Sequence, residues 1–131
     1  MDAFVQPLYE LADFDAIIRQ LKKPGIVQVS GCLDSQKAHF TNGLLREFPF
    51  RLIVAENDLK AKAFYEDFRL YDPEVLYYPA RDLIFYQADI HGNLLTRQRI
   101  QVLRALLERE EVTIVTSIDS CLDCLVPLAV W

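Results

Sequence analysis

The sequence has few of the features that mark non-globular chains. Only four of its 131 residues are glycine, while 52% of the residues are hydrophobic and 25% are charged. This composition excludes a collagenous, low-complexity or disordered chain. A chain of this length buries about two-thirds of its surface on folding, which is enough for one core and not for two. We therefore expect a single domain over residues 1–131.

Long hydrophobic runs and a secretory signal are also missing. No apolar run approaches the roughly 18 residues that span a bilayer. The first ten residues, MDAFVQPLYE, contain neither the basic segment nor the apolar segment of a signal peptide. We expect a cytoplasmic protein with no membrane partner.

Cysteine is scarce and its number is odd. Three cysteines without a signal peptide do not predict a disulfide framework. Cys121 and Cys124 have C-x-x-C spacing, which leaves a redox or metal role open. However, no second C-x-x-C and no nearby histidine pair completes a zinc site. The sequence favours ordinary thiols and predicts no metal site.

A basic excess is absent as well. The chain has 14 basic and 19 acidic residues, a net charge of −5, whereas sequence-independent nucleic-acid binders normally have a basic excess. The segment 81–109 is the exception, with five arginines against three acidic residues. Two interpretations stay open, a solvated helix face or a surface that contacts phosphates. The candidates for nucleic-acid or interdomain contacts are Arg97 and Arg104.

Apolar spacing predicts alternating strands and helices. Because the strands are continuously apolar, we predict a parallel sheet with helices on both faces, a three-layer α/β sandwich. The predicted strands cover 25–30, 51–55, 75–78 and 112–116, and the predicted helices cover 14–23, 36–48, 58–71, 94–109 and 117–125. In the long helix, the residues expected to face inward are Ile100, Leu103, Leu106 and Leu107.

The loop after the first predicted strand is the first candidate site, because such sheets bind ligands at the carboxyl ends of their strands. Gly31 and Lys37 match two of the four defined positions of the phosphate-loop pattern G-x-x-x-x-G-K-[ST]. Gln36 stands in place of the second glycine, and Ala38 in place of the hydroxyl residue that binds Mg²⁺. The loop is either a decayed phosphate loop or an ordinary turn with a surface lysine.

Other candidate residues favour structural roles. Glu56 follows an apolar strand, as a Mg²⁺-binding acid does in P-loop enzymes, but the neighbouring Asn57 and Asp58 favour a helix cap. Tyr77 and Tyr78 fit a strand better than they fit a platform for unpaired bases. No strand ends in an Asp-Glu pair, and no catalytic triad is visible in the sequence.

Several segments, taken in order, resemble one family. They are the run AENDLKAKAFYEDF at 55–68, the segment YPARD at 78–82, and the stretch from Arg97 to Ser117, in which RQRIQVLRALLER precedes VTIVTS. Over about residues 14–125 the chain is similar to the N-terminal segment of bacterial transcription-repair coupling factors, in their module that resembles excinuclease component B.

The resemblance implies a RecA-type, helicase-like P-loop NTPase lobe (subdomain 1a) whose phosphate loop is degenerate. It implies no catalytic residue and no cofactor in this lobe, with ATP and Mg²⁺ bound in the motor of the full protein. The vestigial loop residues are Gly31, Gln36, Lys37 and Ala38.

The resemblance also implies a setting and partners. The full protein would be an ATP-driven DNA translocase of the bacterial cytoplasm that displaces stalled RNA polymerase. It would then recruit excinuclease component A for transcription-coupled nucleotide excision repair. The alternative is a nucleotide- or DNA-binding lobe of an active helicase or of excinuclease component B. A small redox or receiver-like α/β protein is a third hypothesis.

The sequence also leads to predictions for the two ends of the chain. In the family interpretation the chain is a fragment, in which 1–13 form a lead-in and 126–131 begin the link to an inserted domain. The strongly apolar residues near the C-terminus predict self-association through that end.

Overall fold

The computed structural model describes residues 3–80 and 89–122, and for 89–93 the backbone alone. The fold is α/β, with a three-stranded parallel sheet. A short 3₁₀ helix at Gln6–Glu10 precedes the regular elements. In chain order these are α1 (Phe14–Leu21), α2 (Asp34–Leu45), β1 (Phe50–Ala55), α3 (Asp58–Phe68), β2 (Leu76–Tyr78), α4 (Asp89–Glu108), β3 (Val112–Ser117) and α5 (Ile118–Cys121).

β3 is the central strand of the sheet. It lies between β1 and β2 and runs parallel to both. All six of its residues are buried. Two of its threonines bind neighbouring segments, because Thr113 Oγ1 donates to Asp72 Oδ2 (2.7 Å) and Thr116 Oγ1 donates to the Tyr78 carbonyl (2.9 Å). The side chains of β3 therefore join the sheet to the turn before β2 and to the end of β2.

One face of the sheet is covered by α3 and α2. The wholly buried Phe68 and Ala61 of α3 pack there against Val115 of β3 and Ala38 of α2. Phe64 stacks on Phe68, with ring centroids 5.6 Å apart. This cluster is one part of the core.

The other face is covered by α4. Val102 and Ala105 of α4 pack on β2 and β3, in one cluster with Leu76, Tyr78, Val112 and Ile114. The side chains of β1 on this face stay exposed. The expectation that every strand is covered on both faces is therefore wrong for β1.

The prediction for the inner side of α4 is also wrong. Leu106 and Leu107 are exposed, Ile100 is exposed too, and Leu103 is half-buried. The buried face of the helix instead contains Arg99, Val102 and Ala105, which follow one another at three-residue spacing. Because this face contains an arginine and an alanine, a search for spaced large apolar residues does not identify it as the buried face.

The N-terminal lead-in forms a third cluster with the first two helices. Val5 and Leu8 are buried there with Phe14 and Ile18 of α1. Gly43 of α2 makes the close approach possible, since a Cβ atom at that position would lie 3.0 Å from Phe14 Cζ. The apolar spacing of α1 and its start after Asp13 are confirmed, whereas the 3₁₀ helix was not predicted.

The predicted strand at 25–30 is absent. These residues join no ladder, and Ile26 is 99% exposed. Strand propensity depends on pairing with a neighbour, and both described neighbours of β3 are other strands, β1 and β2. The segment therefore remains an irregular connection between α1 and α2.

Candidate functional site

The residues of the predicted phosphate loop are divided between two structures. Gly31 lies in the irregular connection with φ +90°, while Gln36, Lys37 and Ala38 belong to α2. The backbone N–H groups of Gln36 and Lys37 both donate to the Leu33 carbonyl, at 2.9 and 3.2 Å. A phosphate loop needs such N–H groups to point at the ligand. The expected strand–loop–helix is therefore not formed by the described residues.

Lys37 is paired within its own helix. Its Nζ lies 2.6 Å from Asp34 Oδ1, one turn earlier. The hydrogen bond and the charge of Asp34 raise the pKa of Lys37, and Lys37 lowers the pKa of Asp34 for the same reasons. The positive charge that would bind a phosphate is neutralised by a carboxylate.

A second ion pair extends this surface to the end of β1. Glu56, which follows β1, lies 2.8 Å from Lys60 of α3. Smaller contributions to the pKa shifts come from Glu56 on Lys37 and from Lys60 on Asp34, so the two pairs lie near each other. The four charges sum to zero. Exposed pairs of this kind contribute little to stability, and the group offers no excess charge to an anion.

Ala38 occupies a packing position. Only 3% of its surface is exposed, and it lies in the same cluster as Ala61 and Phe68 of α3. The position where a phosphate loop has its Mg²⁺-binding hydroxyl therefore faces the interior of this protein. No ligand could contact a side chain there without separating α2 from α3.

The carboxyl ends of the strands are tied together by Asp58. Its Oδ1 accepts hydrogen bonds from the Ala80 backbone N–H (3.3 Å) and from Ser117 Oγ (3.4 Å). The Tyr77 hydroxyl donates to the Asp58 carbonyl (3.5 Å), and burial, followed by the hydrogen bond with Asp58, raises the pKa of Tyr77. Asp58 thus joins α3, β3 and the residues after β2.

Helix capping accounts for the polar residues around Asp58. Of the two residues predicted to favour a cap, Asn57 is the N-cap of α3 and accepts from the Lys60 backbone N–H (2.9 Å), while Asp58 is the first residue of the helix. Ser117 caps α5 by accepting from the Ser120 backbone N–H (3.3 Å). Within 3–80 and 89–122, no group of three or more potential ligands could hold a metal ion.

No nucleophile of the described part is paired with a histidine base. The Ser117 and Ser120 hydroxyls lie 2.9 Å apart and bind each other. His39 contacts other residues instead: its Nε2 lies against the Phe4 carbonyl and its ring stacks on Tyr71. Of the thiols, Cys32 is half-buried and free and Cys121 is exposed and free, while Cys124 lies outside the described residues.

The arginines of α4 separate into two groups. Arg97 and Arg104 are exposed and lie seven residues apart, so they share one side of the helix. Arg104 Nε also lies 3.0 Å from Glu108. Arg99 is buried, donates from Nη1 to the Pro79 carbonyl (2.9 Å) and lies 4.3 Å above the Tyr78 ring centroid. The sequence pattern groups Arg99 with the surface arginines and does not reveal this structural role.

The tyrosines of β2 are engaged inside the protein. The Tyr78 ring is covered by Arg99, and the Tyr77 ring lies 5.3 Å from that of Tyr65. These contacts favour the predicted strand role over base stacking. Arg81, the basic residue that follows these aromatic residues in the sequence, lies outside the described residues.

No family model, curated protein or solved structure matches this chain. Among the described helices, none combines the length and apolar character required to cross a membrane. The functional conclusion therefore depends on the geometry of the described residues and on the resemblance seen in the sequence.

Proposed function

We propose that this chain is a non-catalytic scaffold lobe of a transcription-repair coupling factor. The observation that carries the proposal is the pairing of Lys37 with Asp34 beside a buried Ala38. These contacts leave no free cation and no hydroxyl at the positions where a phosphate loop would need them. The lobe then serves as packing surface for the rest of the full protein and hydrolyses no nucleotide.

The resemblance supplies the family part of the proposal. The parallel sheet and the order of the sequence segments support a RecA-type, P-loop NTPase ancestry for the lobe. The full protein would translocate on DNA with ATP and Mg²⁺ in its motor, displace RNA polymerase and recruit excinuclease component A. The lobe would contribute contacts to the other domains and no cofactor site of its own.

Nucleotide titration tests the non-catalytic part. We expect no saturable binding of fluorescent ATP in the presence of Mg²⁺ and no phosphate release above background. Lys37→Ala and Lys23→Ala, a matched change at another exposed lysine, should behave like the unmodified chain. Mg²⁺-dependent binding that is lost in Lys37→Ala and kept in Lys23→Ala would contradict the proposal.

One observation favours a second function, which is weak contact with nucleic acid. Arg97 and Arg104 form a two-arginine stripe on the exposed side of α4, in which Arg104 also pairs with Glu108 (3.0 Å). With a net charge of −5, we expect duplex DNA to bind in the non-specific range of about 10⁻⁴–10⁻⁶ M. In fluorescence anisotropy, the double change Arg97→Gln and Arg104→Gln should weaken binding and reduce the salt slope by about 1–2, the lower value applying if Arg104 stays paired with Glu108. Arg19→Gln on α1 serves as the control, and an equal effect of that control would exclude the stripe as the contact surface.

A further inference from the structure

The α4 face of the sheet contains an apolar trough. On β1, which α4 does not cover, Phe50, Leu52 and Val54 expose 55%, 51% and 46% of their surface. The register pairs Leu52 with Ile114 of β3, which packs beneath α4. The three residues therefore lie on the same face as α4 and form a floor beside it.

One side of α4 forms the wall of this trough. Gln98 and Gln101 line a cavity together with Leu76 and Tyr77 of β2 and Tyr65 of α3, so their side of α4 is turned toward β2 and away from β1. At about 100° per residue, Ile100, Leu103 and Leu107 fall on the opposite side of the helix. That side is the one nearer to β1. Ile100 and Leu107 are 42% and 62% exposed.

The trough is large enough to be an interaction surface. Its six side chains together expose on the order of 500 Å², given that a large side chain presents roughly 150–250 Å² when fully accessible. Contiguous apolar surface above a few hundred Å² marks interaction sites on soluble proteins. Two such surfaces, one from each of two molecules, reach about 1,000 Å², the lower limit for a specific interface.

We propose that the trough binds α4 of a second copy of this chain, with a two-fold axis running along the paired α4 helices. Ile100, Leu103 and Leu107 have the i, i+3, i+7 spacing through which two parallel helices pack. Under this symmetry each α4 lies against the other and beside the β1 floor of the other copy. The surface is therefore self-complementary. This inference stands independently of the proposed function.

Charge makes the association weak without preventing it. The charged residues of α4 nearest to Leu107, Arg104 and Glu108, are already joined to each other, so the helix brings no unpaired charge to the floor from this pair. Each copy has a net charge of −5, and this like charge opposes association. We therefore expect a dissociation constant in the micromolar range that falls as added salt screens the repulsion.

Sedimentation equilibrium of the full chain tests the proposal. We expect a monomer–dimer equilibrium in which Leu107→Glu on the wall and Val54→Lys on the floor each raise the dissociation constant at least about tenfold. The matched control is Leu70→Glu, because Leu70 is 78% exposed and follows α3 on the other layer. It should change the constant by less than about twofold. Circular dichroism of each variant verifies that the fold is kept.

Cross-linking tests the orientation of the two helices. In a chain whose three native cysteines are replaced by serine, parallel pairing brings the two copies of position 103 together. Leu103→Cys should then give a disulfide-linked dimer under an added oxidant, whereas Ile118→Cys, exposed but outside the trough, should not. A chain that stays monomeric overturns the proposal. A dimer that Leu70→Glu weakens as much as Leu107→Glu does also overturns the proposal. A dimer that only Val54→Lys weakens overturns it as well, because pairing between the β1 edges of two copies would explain that result.

Discussion

The two faces of the sheet differ in how completely they are covered. On the α3 face two helices contribute to one cluster, in which Ala61, Phe68 and Val115 have no measurable exposure. On the α4 face one helix covers two strands, and Phe50, on the third, remains 55% exposed. Apolar residues of the same type therefore have different roles on the two faces. Both faces contribute to the core, since Val102 and Ala105 of α4 are buried against β2 and β3, but the α4 face also leaves the large apolar side chains of β1 exposed.

The largest test of this difference compares two phenylalanines. Phe68→Ala should lower the free energy of unfolding by about 3–5 kcal/mol, because it opens a cavity in a fully buried cluster. Phe50→Ala should cost under about 1 kcal/mol, since much of that ring is already in contact with water. Chemical denaturation at low protein concentration measures both values in the monomer. Equal losses of unfolding free energy would mean that Phe50 is as well packed as Phe68, so that the two faces are equally covered.

A second test adds volume to the α3 face. Ala38→Thr should destabilise the protein by about 1–3 kcal/mol, because the extra atoms have no space between α2 and α3. Ala63→Thr, on the exposed side of α3, should cost only the difference in helix propensity, about 0.5 kcal/mol. A threonine that is tolerated at position 38 as well as at position 63 would show that this position opens onto a site and not onto the core.

The third test concerns how the covering helix of the α3 face begins. Asn57→Ala removes the side chain that accepts from the Lys60 backbone N–H, and this should cost about 1 kcal/mol. Glu56→Gln is the neighbouring control, because it removes an exposed ion pair with Lys60, keeps an oxygen that can accept the long hydrogen bond from Asn57 Nδ2 (3.4 Å), and should change stability by well under that amount. If Glu56→Gln lowered the stability more than Asn57→Ala does, the ion pair of Glu56, and not the Asn57 cap, would stabilise the start of α3.

The smallest expected effect is a pH dependence of the Asp34–Lys37 pair. The pKa of Asp34 is lowered, so its stabilising contribution is present above the ordinary value of about 3.9 and is lost as the pH falls through the lowered value. The pKa of Lys37 is raised, so its contribution is present below about 10.4 and is lost as the pH rises through the raised value. NMR titration of the Asp34 carboxyl should show the lowered pKa, and Lys37→Ala should return it toward the ordinary value. No change in that variant would assign the shift to another group.

Sequence patterns predicted the elements whose bounds are set by residues within or next to the element itself. The helix at 14–21 ends before Pro24 and Gly25, and the strands at 50–55, 76–78 and 112–117 lie within one residue of their predicted bounds. The order of these strands in the sheet, and the side of α4 that faces it, were not predictable in the same way. They depend on tertiary contacts such as that between Arg99 and Tyr78, which join residues 21 positions apart.

The candidate loop shows the same limit. Its residue types identified Gly31, Gln36, Lys37 and Ala38, but the pattern could not reveal whether a strand preceded them. In the structure Ile26 finds no neighbouring strand, α2 begins at Asp34, and Lys37 pairs with that residue. The Asp34–Lys37 spacing of three residues was the one signal in the sequence that could have indicated this pairing.

The position of β3 has a consequence for how the protein is made. β3 is the last of the three described strands in chain order, yet it lies between the two that precede it. Until residues 112–117 leave the ribosome, β1 and β2 have no neighbour to pair with in the described sheet, since they do not contact each other in the ladder. Between the synthesis of β2 and that of β3, the nascent chain therefore presents two unpaired strands, and such edges are prone to incorrect pairing. Folding of the sheet becomes a late, concerted event that begins when its central strand arrives.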